Sequence, residues 1–146
     1  VASTSTIDRP AKKGSALSFS KARSTALLDA GAKAAQKAVD FFRRYLVHVD
    51  GRWAGQPFVL ADWQERIVRD VFGTLRPDGT RRYRRVYIEV PRKSGKSTFG
   101  AGLALYLLTA DGEPGAQVFG AADNVNQASI IWRTAARMAE RSPDPE

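Results

Sequence analysis

Val90-Pro91-Arg92-Lys93-Ser94-Gly95-Lys96-Ser97-Thr98 reads as a tight turn handing a strand over to a helix. It approximates G-x-x-x-x-G-K-S/T, the phosphate-binding loop of nucleotide-binding proteins. In such a loop successive backbone N–H groups curl around a phosphate, and Gly95, lacking a Cβ, lets the main chain approach closely. Lys96 would reach the β- and γ-phosphate oxygens as a point charge. The Ser97 hydroxyl would be one ligand of Mg²⁺, a hard ion that shares its oxygen ligands with substrate phosphates. The helix that starts here adds its positive end to the same anion. Val90 stands where the first glycine belongs, so the strict pattern fails, and Gly95-Lys96-Ser97 by itself is a weak signal. The flanks strengthen it. Arg85 to Val90 alternates, with Val86, Ile88 and Val90 on one face as in a strand, and Ser97 to Leu108 is a nearly all-apolar helical run.

A length of 146 residues suits one domain, and 43% hydrophobic with 10% aromatic residues is enough for a packed core. The absence of cysteine excludes disulfides and thiolate zinc sites and fits a reducing, cytoplasmic setting. No apolar stretch is long enough to span a membrane. The run Phe99–Leu108 is bounded by Lys96 and Asp111 and reads as a buried helix. The first residues are small and polar, unlike a secretory signal. Net charge is +8, with ten Lys/Arg against four acids in residues 1–60 and thirteen against eleven in 61–146. The excess therefore sits mostly ahead of the glycine turn, as a solvated basic surface or as a contact for a polyanion.

Residues 1–24 are rich in Ser, Thr, Ala and Lys and read as a disordered basic leader, with the domain proper occupying 25–146. From about Ala26 to Val49, Ala35, Ala38, Val39, Phe42, Leu46 and Val49 recur at helical spacing, and Asp50-Gly51 ends the run. His48 is the only histidine and has no companion with which to build a metal site, so it reads as surface or half-buried. Asp62, with Glu65 three residues on, reads as the cap of a helix to about Phe72 that faces Trp63, Ile67, Val68 and Val71 inward. Gln64 in its first turn can be simply solvated, or can donate to and accept from an adenine edge. Phe58 and Trp63 read as core, with base stacking the alternative. Arg76-Pro77-Asp78-Gly79 is a turn. Arg81, Arg82, Arg84 and Arg85 around Tyr83 can hold a phosphate backbone or form the wet face of a strand. Ala116–Ala122 reads as a second buried strand. Asp123 then caps a helix with Ala128, Ile131, Trp132, Ala135, Met138 and Ala139 inward. Strand, helix, strand, helix predicts an α/β fold: a parallel sheet of the P-loop NTPase type with flanking helices, truncated after the second strand–helix unit.

Taken together, these stretches resemble the ATPase half of a tailed-phage terminase large subunit. The resemblance covers about residues 37–141. It rests on Pro57-Phe58-Val59-Leu60 leading to Trp63-Gln64, on Tyr87–Thr98, on Ala104–Leu108, on Asp111–Ala116, and on Ala121-Ala122-Asp123 with Gln127-Ala128. A replaced first glycine and an early arginine are usual in that family, which accounts for Val90 and Arg92. The resemblance implies ATP and Mg²⁺ as ligands, held by Arg92, Lys93, Ser94, Gly95, Lys96, Ser97 and Thr98. Lys96 and Ser97 serve phosphate and metal, Arg92 acts in cis on transition-state charge, and Gln64 contacts adenine. It also implies an ATP-driven oligomeric ring that packages double-stranded DNA, partnered by a terminase small subunit and a portal protein in the bacterial cytoplasm, with no membrane.

Two features of that family are not visible: the apolar run ending in Asp-Glu that supports hydrolysis, and the acidic nuclease domain expected downstream. The chain therefore reads as an N-terminal fragment of the packaging ATPase. The alternatives are a non-catalytic nucleic-acid-binding module and a piece of another P-loop ATPase or helicase. The purified chain is expected to bind nucleotide weakly and to hydrolyse it negligibly. Steady ATP turnover that disappears in Lys96→Ala would overturn the expectation.

Overall fold

The structure is a computed structural model that describes residues 14–143, with side chains from Ser20 onward. Four α-helices make up its regular structure: α1 (Gly14–Tyr45), α2 (Asp62–Gly73), α3 (Lys96–Thr109) and α4 (Val125–Glu140). A single 3-10 turn at Gly51–Trp53 lies in the connection from α1 to α2. Helix α1 packs on α2, α3 packs on α4, and α1 crosses α3. Residues 1–13 of the expected leader lie outside the described residues, whereas 14–24 form the first turns of α1.

No strand or sheet occurs among the described residues, which corrects the predicted parallel α/β fold. Arg85–Val90 and Ala116–Ala122 form neither helix nor paired strand. Their side chains show why the sequence misleads here. In the first segment Ile88 and Val90 are half-buried while Tyr87 and Glu89 are exposed, but Val86, expected on the same face, is 50% exposed, so the alternation holds only over the second half. Period-two alternation reports one covered face, however, and says nothing about whether a second backbone supplies the ladder. Ile88 is covered by packing against the helical core. In the second segment Phe119 is 86% exposed, so an apolar run that reads as buried is open to solvent. Among the described residues, strand-type backbone pairing is confined to two isolated antiparallel bridges, Val47 with Pro57 and Leu75 with Arg81.

The core is built by the apolar stripe of α1 (Ala38, Phe42, Leu46), by Val68 and Phe72 of α2, by Phe99, Ala101 and Tyr106 of α3, and by Ala135 and Met138 of α4. Phe42, Phe99, Met138 and Val68 are the largest fully buried side chains. Each such burial stabilises by about 1.5–3 kcal/mol. Aromatic contacts knit the elements. Phe42 lies 5.5 Å from Phe58 and 5.9 Å from Phe99, and Phe72 meets Tyr106 edge-on at 4.8 Å. Burial, with Asp111 nearby, holds the Tyr106 phenol above its ordinary pKa.

Helix α4 departs from its expected inner stripe. Ala135 and Met138 are buried, but Trp132 is 68% exposed and Ile131 and Ala139 are also exposed. Only one narrow edge of the helix meets α3. The cap also falls one residue later than expected, since Asn124, not Asp123, accepts the Gln127 N–H at 2.9 Å.

The Arg76–Gly79 turn is present. It closes with Arg76 N–H donating to Thr80 O at 2.8 Å, and Arg82 N–H donates back to Thr74 O at 2.9 Å. The Thr80 hydroxyl and N–H both donate to Asp78, which holds that carboxyl below its usual pKa.

The α1–α2 crossing is close because both helices offer glycine there. A Cβ on Gly31 would run into the carbonyl of Gly73, a backbone atom that cannot rotate away. Gly31→Ala is therefore expected to lower the unfolding free energy by about 1–3 kcal/mol. Guanidinium denaturation checks this, and an unchanged midpoint would show that the helices separate without cost.

Candidate functional site

The residues of the glycine turn fall where two walls face each other. One wall is the start of α3. The other is the connection from α1 to α2, which doubles back on itself. His48 N–H donates to Gln56 O at 2.9 Å, Gly55 N–H to His48 O at 2.8 Å and Phe58 N–H to Leu46 O at 2.8 Å. Between them is a cleft of about 620 Å³ lined by His48, Trp53, Phe58, Gln64, Lys93, Ser94, Gly95 and Thr98, among others. That volume lies within the range of about 300–1,000 Å³ common for small-molecule sites.

The doubled-back connection is fixed from behind by α4. Arg137 grips both oxygens of Asp50, at 2.7 and 2.9 Å, and donates to Val49 O at 3.0 Å. Arg141 adds a second bond to Val49 O at 3.2 Å, and the Ser142 hydroxyl donates to Tyr45 O at 2.7 Å.

The turn itself carries strain. Gly95 caps α3 in the left-handed region at φ 83°, ψ 13°. Lys93 also has a positive φ, 65°, the only non-glycine among the described residues to do so. A left-handed non-glycine costs about 1–2 kcal/mol. Such strain concentrates at ligand clamps and active sites. Between the two lies Ser94, whose Oγ is buried and has no hydrogen-bond partner. A buried hydroxyl without a partner costs about 1–3 kcal/mol. Left-handed residues on either side of an unpartnered donor suit a turn whose polar groups converge on an anion.

The sequence-predicted site residues divide into two groups. Gln64, Lys93, Ser94, Gly95 and Thr98 line the cleft together. Arg92, Lys96 and Ser97 belong to the same turn and first helical residues but do not line it; Arg92 and Lys96 are exposed and Ser97 is half-buried.

Gln64 is more constrained than a solvated first-turn residue. It is 6% exposed, and its Oε1 accepts the Ala61 N–H at 2.9 Å. Ala61, not Asp62, is the N-cap of α2, and Gln64, not Glu65, supplies the reciprocal bond. The other end of the amide faces the glycine turn: a Cβ on Gly95 would sit 3.9 Å from Gln64 Nε2.

Sequence reasoning placed Phe58 in the core, where it is 2% exposed, and left His48 without a role. The imidazole stacks on Phe58 with centroids 4.5 Å apart and planes 17° from parallel. It also lines the cleft. Its tie to Gln56 runs through backbone atoms across an irregular turn, so side-chain patterning had nothing to show.

The basic run is split by the fold. Arg81 is spent internally, paired with Asp111 and lying 4.8 Å over the Phe72 ring. Arg82, Arg84 and Arg85 are exposed and form no ion pair among the described residues. A larger cleft of about 770 Å³, between the C-terminal parts of α1 and α3, is lined by residues such as Phe41, Tyr45 and Leu105. It contains no part of the glycine turn. No group of three His, Cys, Asp or Glu that could hold a metal occurs among the described residues. No described helix is long and apolar enough to cross a membrane.

Comparison with known families gives a class first: ATPase domains. The family is the one described as terminase large subunit, ATPase domain, whose model matches residues 62–145, and because that is more than half of the chain, the chain belongs to it. No curated protein and no solved structure matches. The matched region starts at α2, so the His48–Phe58 wall lies outside it.

Burial holds the His48 pKa below its ordinary value near 6.5. The folded state thus prefers the neutral imidazole, and protonation favours unfolding. The stability this contributes is fully present above about pH 6.5 and is lost as pH falls through the depressed folded value. Between pH 7 and 5 the wild-type Tm is expected to drop further than that of His48→Gln. Parallel melting curves across this window would contradict the sign.

Proposed function

We propose that the chain forms the nucleotide-binding part of a terminase large subunit that uses ATP to move double-stranded DNA into a capsid. The observation that carries this reading is Ser94, buried and unpartnered between two left-handed residues at the mouth of α3. The turn fits a triphosphate: the orphaned hydroxyl lacks an acceptor, and Gly95 leaves the approach open.

The N–H groups of Lys93–Thr98 donate to phosphate oxygens, aided by the positive end of α3. Lys96, exposed at the first residue of the helix, adds its charge to the β- and γ-phosphates. Arg92, exposed at the outer edge of the turn, supplies the cationic group that stabilises charge on the transferring phosphoryl. Ser97 would contribute one hydroxyl toward Mg²⁺, which when bound would neutralise phosphate charge. Gln64 keeps one lone pair of Oε1 on the helix cap and offers Nε2 to an acceptor on adenine. The partners that follow are DNA, a small subunit, a portal protein and further copies of the chain in a ring, in the cytoplasm of the host bacterium.

One observation favours a second, non-catalytic reading as a nucleic-acid-binding module: the three exposed arginines at 82, 84 and 85, which form no ion pair among the described residues. The two readings separate in one experiment. Lys96→Ala is expected to reduce binding of a non-hydrolysable ATP analogue by at least ten-fold, the factor of roughly 1.4 kcal/mol that one lost charge–phosphate contact accounts for, while duplex DNA affinity stays unchanged. Replacing Arg82, Arg84 and Arg85 together with Ala is expected to reverse that pattern and to reduce the salt slope of DNA binding by about three. If the wild type binds DNA with a steep salt dependence but no nucleotide, the module reading prevails.

A further inference from the structure

The cleft beside the glycine turn is lined by two chemically different sets of residues. Lys93, Ser94, Gly95 and Thr98 come from the turn and the start of α3; His48, Phe58 and Trp53 come from the returning wall. Gln64 lines the cleft between the two sets, its Nε2 3.9 Å from where a Cβ on Gly95 would stand, within the space a base on His48 and phosphates on the turn would share. A nucleoside triphosphate has two matching parts, anionic at one end and flat and aromatic at the other. We propose that His48 is the stacking platform for the purine base, presenting to the cleft the ring face that Phe58 does not cover. The proposal rests on the nucleotide-binding reading above and assigns a role to a residue outside the family-matched region.

Three observations support it. The imidazole is already ordered, because Phe58 stacks on it at 4.5 Å and is itself locked against Phe42 at 5.5 Å. A base landing on it therefore immobilises no free rotor, which is the usual cost of recruiting a side chain to a ligand. The backbone of His48 is held on both sides, by Gln56 O and by Gly55 N–H, so the ring's height above the cleft floor is set by hydrogen bonds. Burial keeps the imidazole neutral near neutral pH, so stacking displaces no strongly held hydration. Trp53, the other aromatic of the wall, is a poorer platform. It is 50% exposed, and the Arg52 guanidinium already lies 4.9 Å over its ring.

The test uses the full chain and two probes, a non-hydrolysable ATP analogue and inorganic tripolyphosphate, with affinities read by calorimetry. In His48→Ala the analogue is expected to weaken by roughly ten-fold, the scale of one base–aromatic stack, and tripolyphosphate to bind as in wild type. His48→Phe keeps a flat ring over Phe58 and is expected to hold the analogue within about two-fold of wild type.

Equal analogue affinity in His48→Ala and wild type overturns the platform. So does a His48→Phe loss as large as that of His48→Ala, which would mean a polar contact, or a parallel loss of tripolyphosphate, which would mean general damage to the cleft. Failure of the phosphate reading looks different: wild type then binds neither probe, and the platform falls with it.

Discussion

Phe42 is the contact on which the arrangement depends. Its ring, wholly buried, touches Phe58 on the returning wall and Phe99 in the first turn of α3. Those are the two sides of the cleft. Gly102, one turn further along α3, leaves room for the same ring; a Cβ there would meet Phe42 and Leu46. One side chain of α1 thus joins the segment carrying His48 to the helix carrying the glycine turn. With each aromatic pair worth about 0.5–1.5 kcal/mol beyond area burial, the cluster offsets a good part of the strain stored at Lys93 and Ser94.

That strain and its support form a coherent pattern. The turn residues occupy conformations or environments that are unfavourable without a ligand, and they lie directly ahead of one of the most tightly packed residues of the core, Phe99. Gln64 joins the two requirements. It stabilises the start of α2 through Ala61 and at the same time places an amide donor beside Gly95. A residue with both duties is hard to replace: a shorter side chain frees the cap, and an apolar one of similar size loses the donor as well.

Much of this was legible in the sequence where local chemistry decides, and little where pairing between distant segments decides. The stripe Ala35, Ala38, Phe42 and Leu46 identified α1 because helical spacing and burial coincide. Ser97 to Leu108 was readable as a helix following the Gly95 turn because a glycine and an apolar run are both local signals. The caps were misplaced by one residue at Asp62 and Asp123: at α4 the neighbouring Asn124 takes the capping bond, and at α2 the helix is closed by Gln64 reaching back to the Ala61 N–H, so no capping side chain marks the start. Arg85–Val90 and Ala116–Ala122 were misread as strands of a sheet. Their apolar content was visible, but whether another backbone lies alongside is not encoded in side-chain alternation. Trp132 misled in the same way, a large apolar residue at helical spacing with nothing across from it.

The grip of Arg137 on Asp50 lies in the open, with the two side chains 42% and 67% exposed. Its Coulomb part is therefore screened by dissolved ions, whose Debye length is about 8 Å at physiological strength. The bonds from the Arg137 and Arg141 guanidiniums to the Val49 carbonyl are less sensitive, because their acceptor carries no net charge. The wall that carries His48 is thus anchored by one salt-sensitive tie beside three bonds to uncharged carbonyls, two at Val49 and one from Ser142 to Tyr45, so its stiffness varies in part with the electrolyte around it.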